Sequence, residues 1–352
     1  MTTKLHDKSI GIAAIAGAAA LSFVFATGSA MAADLPASVK ALVPAAEKQG
    51  SLLVWGTTLN PRQIAAMKKD FNAYYGTSID LTHKGGRQDI KAKQMAFAFK
   101  KGVPTGVDVF WTPVPKSLID ANALTAVDWA KEFGIEKSLQ MGKYGIKTHH
   151  STSLFMTLNT DLVKAGEGPK NYQGLLNPKW KGKIAIPRSP FPWFLFAYAY
   201  GVETATKTLT GLLANQKVKL LPRYHDVRAR VVSGEFAIGM ATDSFNDIAK
   251  GAPVRHANLD AVVVNSAGGF ILADSKNQAA GKLWGNWAVS PEGQKTLERV
   301  RGYSLVSTKT SKLYKYTKNR KVYRVPLDWR MKNQRRLVVK YAKIIKASRG
   351  TR

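Results

Sequence analysis

The chain contains no cysteine, which removes disulfide bonding, thiol catalysis and thiolate metal ligation together. Acid is scarce too: 23 Asp and Glu stand against 53 Lys and Arg, a formal net charge of +30. The six histidines show no metal-ligand spacing; His149 and His150 are adjacent, and neighbours on a strand point to opposite faces. Nucleophile-elbow, His-Glu-x-x-His and phosphate-loop patterns find no support, so neither an enzyme nor a bound cofactor or metal is expected. Past residue 33, no run approaches the roughly 18 unbroken apolar residues of a transmembrane helix.

What is present begins with an export signal. Lys4 and Lys8 precede the apolar run Ile10–Ala26, and Ala30-Met31-Ala32 precedes Ala33. A positive start, a short apolar core and a small-x-small exit predict a cleaved signal peptide over 1–32 and a periplasmic mature protein. The remaining 320 residues suggest about two domains. From Ser311 to Arg352, 15 Lys or Arg face one acid, Asp328. Leu337, Val338, Tyr341, Ile344 and Ile345 recur there at helical spacing, so the charge reads as the wet face of a packed helix. Such a surface suits anions or an anionic membrane; export argues against nucleic acid as partner.

The body alternates strands and helices. Ser51–Trp55, Ser78–Thr82 and Val107–Trp111 read as strands, with helices opened by Pro61 and by the loop His83–Arg87. This is the pattern of a parallel sheet, whose ligands bind at the carboxyl ends of the strands. Thr57, Gly86 and Trp111 should therefore share one rim. Ser153–Asn159, Lys183–Pro187 and Phe236–Ala241 read as a second group of strands, and Asp260–Val264 and Gly268–Ala273 as two that cross back.

Asn159-Thr160-Asp161-Leu162-Val163, then Asn177-Pro178-Lys179-Trp180-Lys181-Gly182-Lys183-Ile184, resemble the periplasmic solute-binding proteins of ABC importers. The branch is the one that includes the ferric-iron-binding proteins. Val232–Ile238, Lys250–Val254, Ser290–Gln294 and Asp328-Trp329 extend the resemblance over nearly the whole mature chain. It implies an α/β fold of two lobes joined by two crossing hinge strands, each lobe a mostly parallel sheet flanked by helices. Lobe 1 would comprise 33–154 plus 266–352, and lobe 2 would comprise 155–265. It also implies a monomer that captures a small molecule between the lobes and delivers it to an inner-membrane ABC permease. An exported enzyme and a ligand-presenting receptor subunit are the competing classes.

The ferric branch's tyrosine pair does not carry over, because Thr242-Asp243-Ser244-Phe245-Asn246 stands at its place. Phenolates are the hard ligands Fe(III) requires. An anionic organic or phosphorus-containing solute is therefore the expected ligand, with iron(III) or an iron chelate as the alternative. Arg87 and Arg188, each beside a helix start, suit a carboxylate or phosphate. Thr57, Thr58, Thr112, Ser189 and Ser244 offer hydroxyls, and Trp111, Trp193 and Phe245 offer stacking surfaces.

Overall fold

The computed structural model describes residues 35–348, and the signal peptide expected over 1–32 lies outside them. The first strand, β1 (Ser51–Gly56), buries Leu52, Val54 and Trp55 and is followed by a helix over Pro61–Tyr75. Asn60 caps that helix: its Oδ1 accepts from Gln63 N and its N–H donates to Gln63 Oε1, both at 2.9 Å, with Pro61 at the first helical position. Met67, Phe71 and Tyr75 form its buried stripe. Strand β2 (Asp80–Gly85) runs parallel to β1 and reaches further than the sequence pattern suggests, because Lys84 and Gly85 pair with Trp55 and Gly56. After the helix Gln88–Lys100 comes β3 (Val109–Thr112), parallel to β1 on its other side.

Strands β4 (Gln140–Met141) and β5 (Gly145–Ser151) complete this half of the chain. The chain then crosses to a second sheet through β6 (Phe155–Asn159). That sheet contains β7 (Ile184–Pro187), β8 (Lys219–Leu221), β9 (Ile238–Ala241) and β10 (Val254–His256), in the order β10-β6-β9-β7-β8. The return strand, β11 (Ala261–Ile271), is continuous where the sequence suggested two strands. Asn265 and Ser266 do not break it, because both are buried and pair with β5. The first sheet has the order β2-β1-β3-β11-β5-β4, and β12 (Lys321–Arg324) pairs with the start of β11. Two sheets linked by two crossings, with helices packed on them, make the two-lobed α/β architecture.

The C-terminal helix Leu327–Ala347 is amphipathic as its spacing predicts, but its place differs from the expectation. Leu337, Tyr341 and Ile345 join the cluster formed by Trp180, Phe194, Phe196 and Leu209, which is the core of the second lobe. Assigning this helix to the first lobe is therefore corrected. Periodicity defines an apolar stripe, not the surface that covers it.

Candidate functional site

A cavity of about 430 Å³ opens at the carboxyl ends of β1, β2 and β3. Thr57, Gly86, Arg87, Trp111 and Thr112 line it, so the three loops expected on one rim do meet there. Gly85 makes the meeting possible. A Cβ on it would lie 2.5 Å from Thr58 Cα and 2.7 Å from Thr58 N, so only glycine lets the loops after β1 and β2 approach this closely. His83 fixes the same contact from below, its Nε2–H donating to Thr57 O at 2.7 Å, and burial lowers its pKa.

Gln88 joins the helix start to β3: its Nε2 donates to Trp111 O at 3.2 Å, and Oε1 accepts from Thr112 Oγ1 at 3.2 Å. Trp111 forms the floor. Its Nε1–H donates to Thr148 Oγ1 at 2.9 Å, and His149, Trp284 and Tyr303 all meet its ring edge-on at about 5.5 Å. His149 and Tyr303 form one wall, stacked with ring centres 3.9 Å apart. Burial, with Arg301 adding to it, pushes the His149 pKa down to about 3, so this imidazole is neutral at physiological pH. Arg301 lies 5.5 Å from the Tyr303 ring centre. At the mouth Arg87 is held by Asp89, Nε to Oδ1 at 3.1 Å and Nη2 to Oδ2 at 2.9 Å, with both side chains largely exposed.

The remaining residues expected at the site lie outside this lining. Thr58 is exposed beside it. Arg188 is exposed at the end of β7, its backbone N–H bonded to Leu221 O. Ser189 is occupied within the second lobe, its Oγ accepting from Phe191 N at 3.2 Å. The other three are engaged within the second lobe, Trp193 and Ser244 buried and Phe245 half-buried. Trp193 is 1% exposed inside the second-lobe core. Ser244 is as deeply buried, its Oγ 3.0 Å from Thr157 Oγ1 and its N–H donating to His256 Nε2 at 2.8 Å. Phe245 packs edge-on against His256 and Phe155.

His149, Tyr303, Gln88, Asp89, Ser151 and Ala267 line the cavity without having been singled out. Gln88 and Asp89 were legible as the first residues of the helix after the Gly-Gly-Arg loop. Nothing local marks His149 or Tyr303, whose partnership spans the sheet.

The two-lobed fold thus carries a cavity at its strand ends, beside the crossings between the lobes. Residues 66–322 match the family described as bacterial extracellular solute-binding protein, and the chain belongs to that family. It is therefore the solute-binding component of an ABC importer, acting outside the cytoplasm. Among solved structures, the periplasmic binding protein AfuA from Actinobacillus pleuropneumoniae, with fructose 6-phosphate bound, superposes with a TM-score of 0.64. That match has 18% identity and covers 85% of this chain and 99% of the other. Iron-bound HitA from Pseudomonas aeruginosa matches with TM-score 0.64, 16% identity and the same coverage. The ferric binding protein from Campylobacter jejuni gives 0.65 at 19% identity, over 84% of this chain and 99% of that one. No curated protein matches the sequence. Among the described residues, no helix is long and apolar enough to cross a membrane, and no three His, Cys, Asp or Glu side chains gather as a metal site.

Proposed function

We propose that the cavity holds a small organic anion, a carboxylate or a phosphate ester, for import from the periplasm. The observation that carries this reading is the pairing of an uncharged aromatic wall, His149 on Tyr303, with cationic surroundings. Arg87 and Arg301 stand near the cavity against one carboxylate, Asp89. An organic body packs on the wall while its charged end faces the helix start at Gln88 and Arg87.

Arg188 completes the site from the second lobe when the lobes close. A solute that touches both lobes populates the closed state by its differential affinity for it, and no chemical step is required. The protein returns its solute unchanged and acts as a monomer that docks on a permease. The test is calorimetric titration with sugar phosphates and dicarboxylates, comparing wild type with Arg188→Ala. Loss of this partner from a desolvated anion is expected to cost on the order of 2–5 kcal/mol of affinity. Equal affinity for the two proteins would remove Arg188 from the site.

A further inference from the structure

A second cavity, about 210 Å³, lies on the other face of the hinge strands. Ala267 of β11 lines the first cavity and its neighbour Ser266 lines the second, and successive strand residues point to opposite faces. A β-bulge separates His149 from Lys147 in the same way: Ala267 pairs with His149 but Gly268 pairs with Lys147, which leaves Thr148 as the extra residue.

Three cations line this second cavity, namely Lys147, Arg324 and Arg330, together with Gln140 and Ser266, and no carboxylate is among its lining residues. Arg330 is 5% exposed. Its hydrogen bonds go to two neutral amides, from Nη1 to Asn265 Oδ1 and from Nε to Gln334 Oε1 at 2.6 Å. With the Phe191 ring, whose centre lies 5.4 Å from its guanidinium carbon, as a further partner, this buried charge meets no anion, and burial pulls its pKa down to about 10. Lys147 donates to Ser138 O at 2.6 Å, and its pKa is lowered by burial and by the Arg324 charge. The acid nearest in effect is Glu136, which lies outside the lining and accepts a bond from Ser138 Oγ. Arg324 forms no ion pair among the described residues.

We propose that this cavity is a second ligand site, selective for a small inorganic oxyanion of the phosphate type. The three cations that line the cavity carry the charge for charge-assisted bonds to such an ion, and Ser266 supplies a hydroxyl. The volume falls below the roughly 300 Å³ at which pockets for organic ligands begin, so the occupant is the ion alone. The site also spans the molecule. Lys147 and Gln140 stand on the first sheet, while Arg330 stands on the helix packed into the second-lobe core. A bound oxyanion therefore ties the C-terminal helix to the hinge, independently of the solute.

The test is titration of the mature protein with inorganic phosphate at fixed ionic strength, followed by calorimetry and by thermal melting. Wild type is expected to bind, and Arg324→Ala or Lys147→Ala to weaken binding by about tenfold. Lys343→Ala, which removes one positive charge from the exposed face of the C-terminal helix that carries Arg330, is expected to leave phosphate binding unchanged, as is Tyr303→Ala in the first cavity. Arg330→Met keeps the apolar stem and removes the buried charge; it is expected to melt higher than wild type without phosphate and to gain nothing from it. Absence of phosphate binding to wild type would overturn the proposal. So would equal loss in Lys343→Ala, which means nonspecific attraction, or loss in Tyr303→Ala alone, which places the ion in the solute cavity.

Discussion

The His149 ring lies flat on the Tyr303 ring, 4° from parallel, although the two residues are far apart in sequence. Strand β5 presents the imidazole. Tyr303 follows Gly302, whose left-handed conformation (φ +74) ends the helix Pro291–Arg301 and turns the chain toward the cavity. Tyr303→Ala removes the wall and is expected to weaken solute binding by about tenfold, or about 1.4 kcal/mol, while Tyr303→Phe preserves most of it. Calorimetry on both variants checks this, and equal losses would mean that the hydroxyl matters and the ring does not.

In the proposed site Asp89 competes with an anionic solute for Arg87, which it holds through two hydrogen bonds of 3.1 and 2.9 Å. Asp89→Asn frees the guanidinium, so affinity for anionic solutes should rise by roughly threefold, while Arg87→Ala should lower it by roughly tenfold. Opposite signs are the signature. If both variants bind less tightly, the pair acts as a unit that shapes the loop.

Acid should destabilise the fold through its buried histidines. Burial lowers His149 to about 3 and His256 to about 4, whereas both have an unfolded value near 6.5. As pH falls below 6.5 the unfolded chain takes up protons that the folded one refuses, so stability is full above that point and declines toward the folded values. Each histidine contributes a slope of about 1.4 kcal/mol per pH unit in that window. Asp243, raised by burial, acts in the opposite sense at the acid end. Denaturant melts from pH 7 to 4 measure the slope, and His256→Gln should flatten it by one histidine's share.

The first lobe was legible because parallel strands expose their loops at one edge, so Thr57, Arg87, Trp111 and Thr112 could be placed from local pattern alone. On the second lobe the same logic overreached. Trp193 comes shortly after a strand end, as Trp111 stands at one, but it faces inward from the helix Phe191–Tyr200, five of whose residues besides Trp193 are buried. Sequence spacing did not separate the inner face of that helix from the cleft face. The structure predicts that Trp193→Ala costs about 3–5 kcal/mol of stability and leaves the affinity of the protein that still folds nearly unchanged. Unfolding curves and titration together distinguish this from a binding role. The lobe to which the C-terminal helix belongs was hidden for a similar reason: Leu337 and Tyr341 announce a stripe, and only the tertiary fold shows that Phe194 and Leu209 cover it.

The most direct test of the central claim is a thermal-melting panel on mature protein that has been unfolded and refolded to release any carried solute. It should include sugar phosphates, phosphonates, small carboxylates, ferric citrate, free ferric ion, amino acids, polyamines and neutral sugars. An organic anion at about 100 times its Kd should stabilise by about 2.7 kcal/mol, a shift of a few degrees, and at the same concentration the shift should fall to about half in Tyr303→Ala, the tenfold weaker binder. Stabilisation by bare ferric ion or by a neutral sugar, with none from the organic anions, would contradict the account.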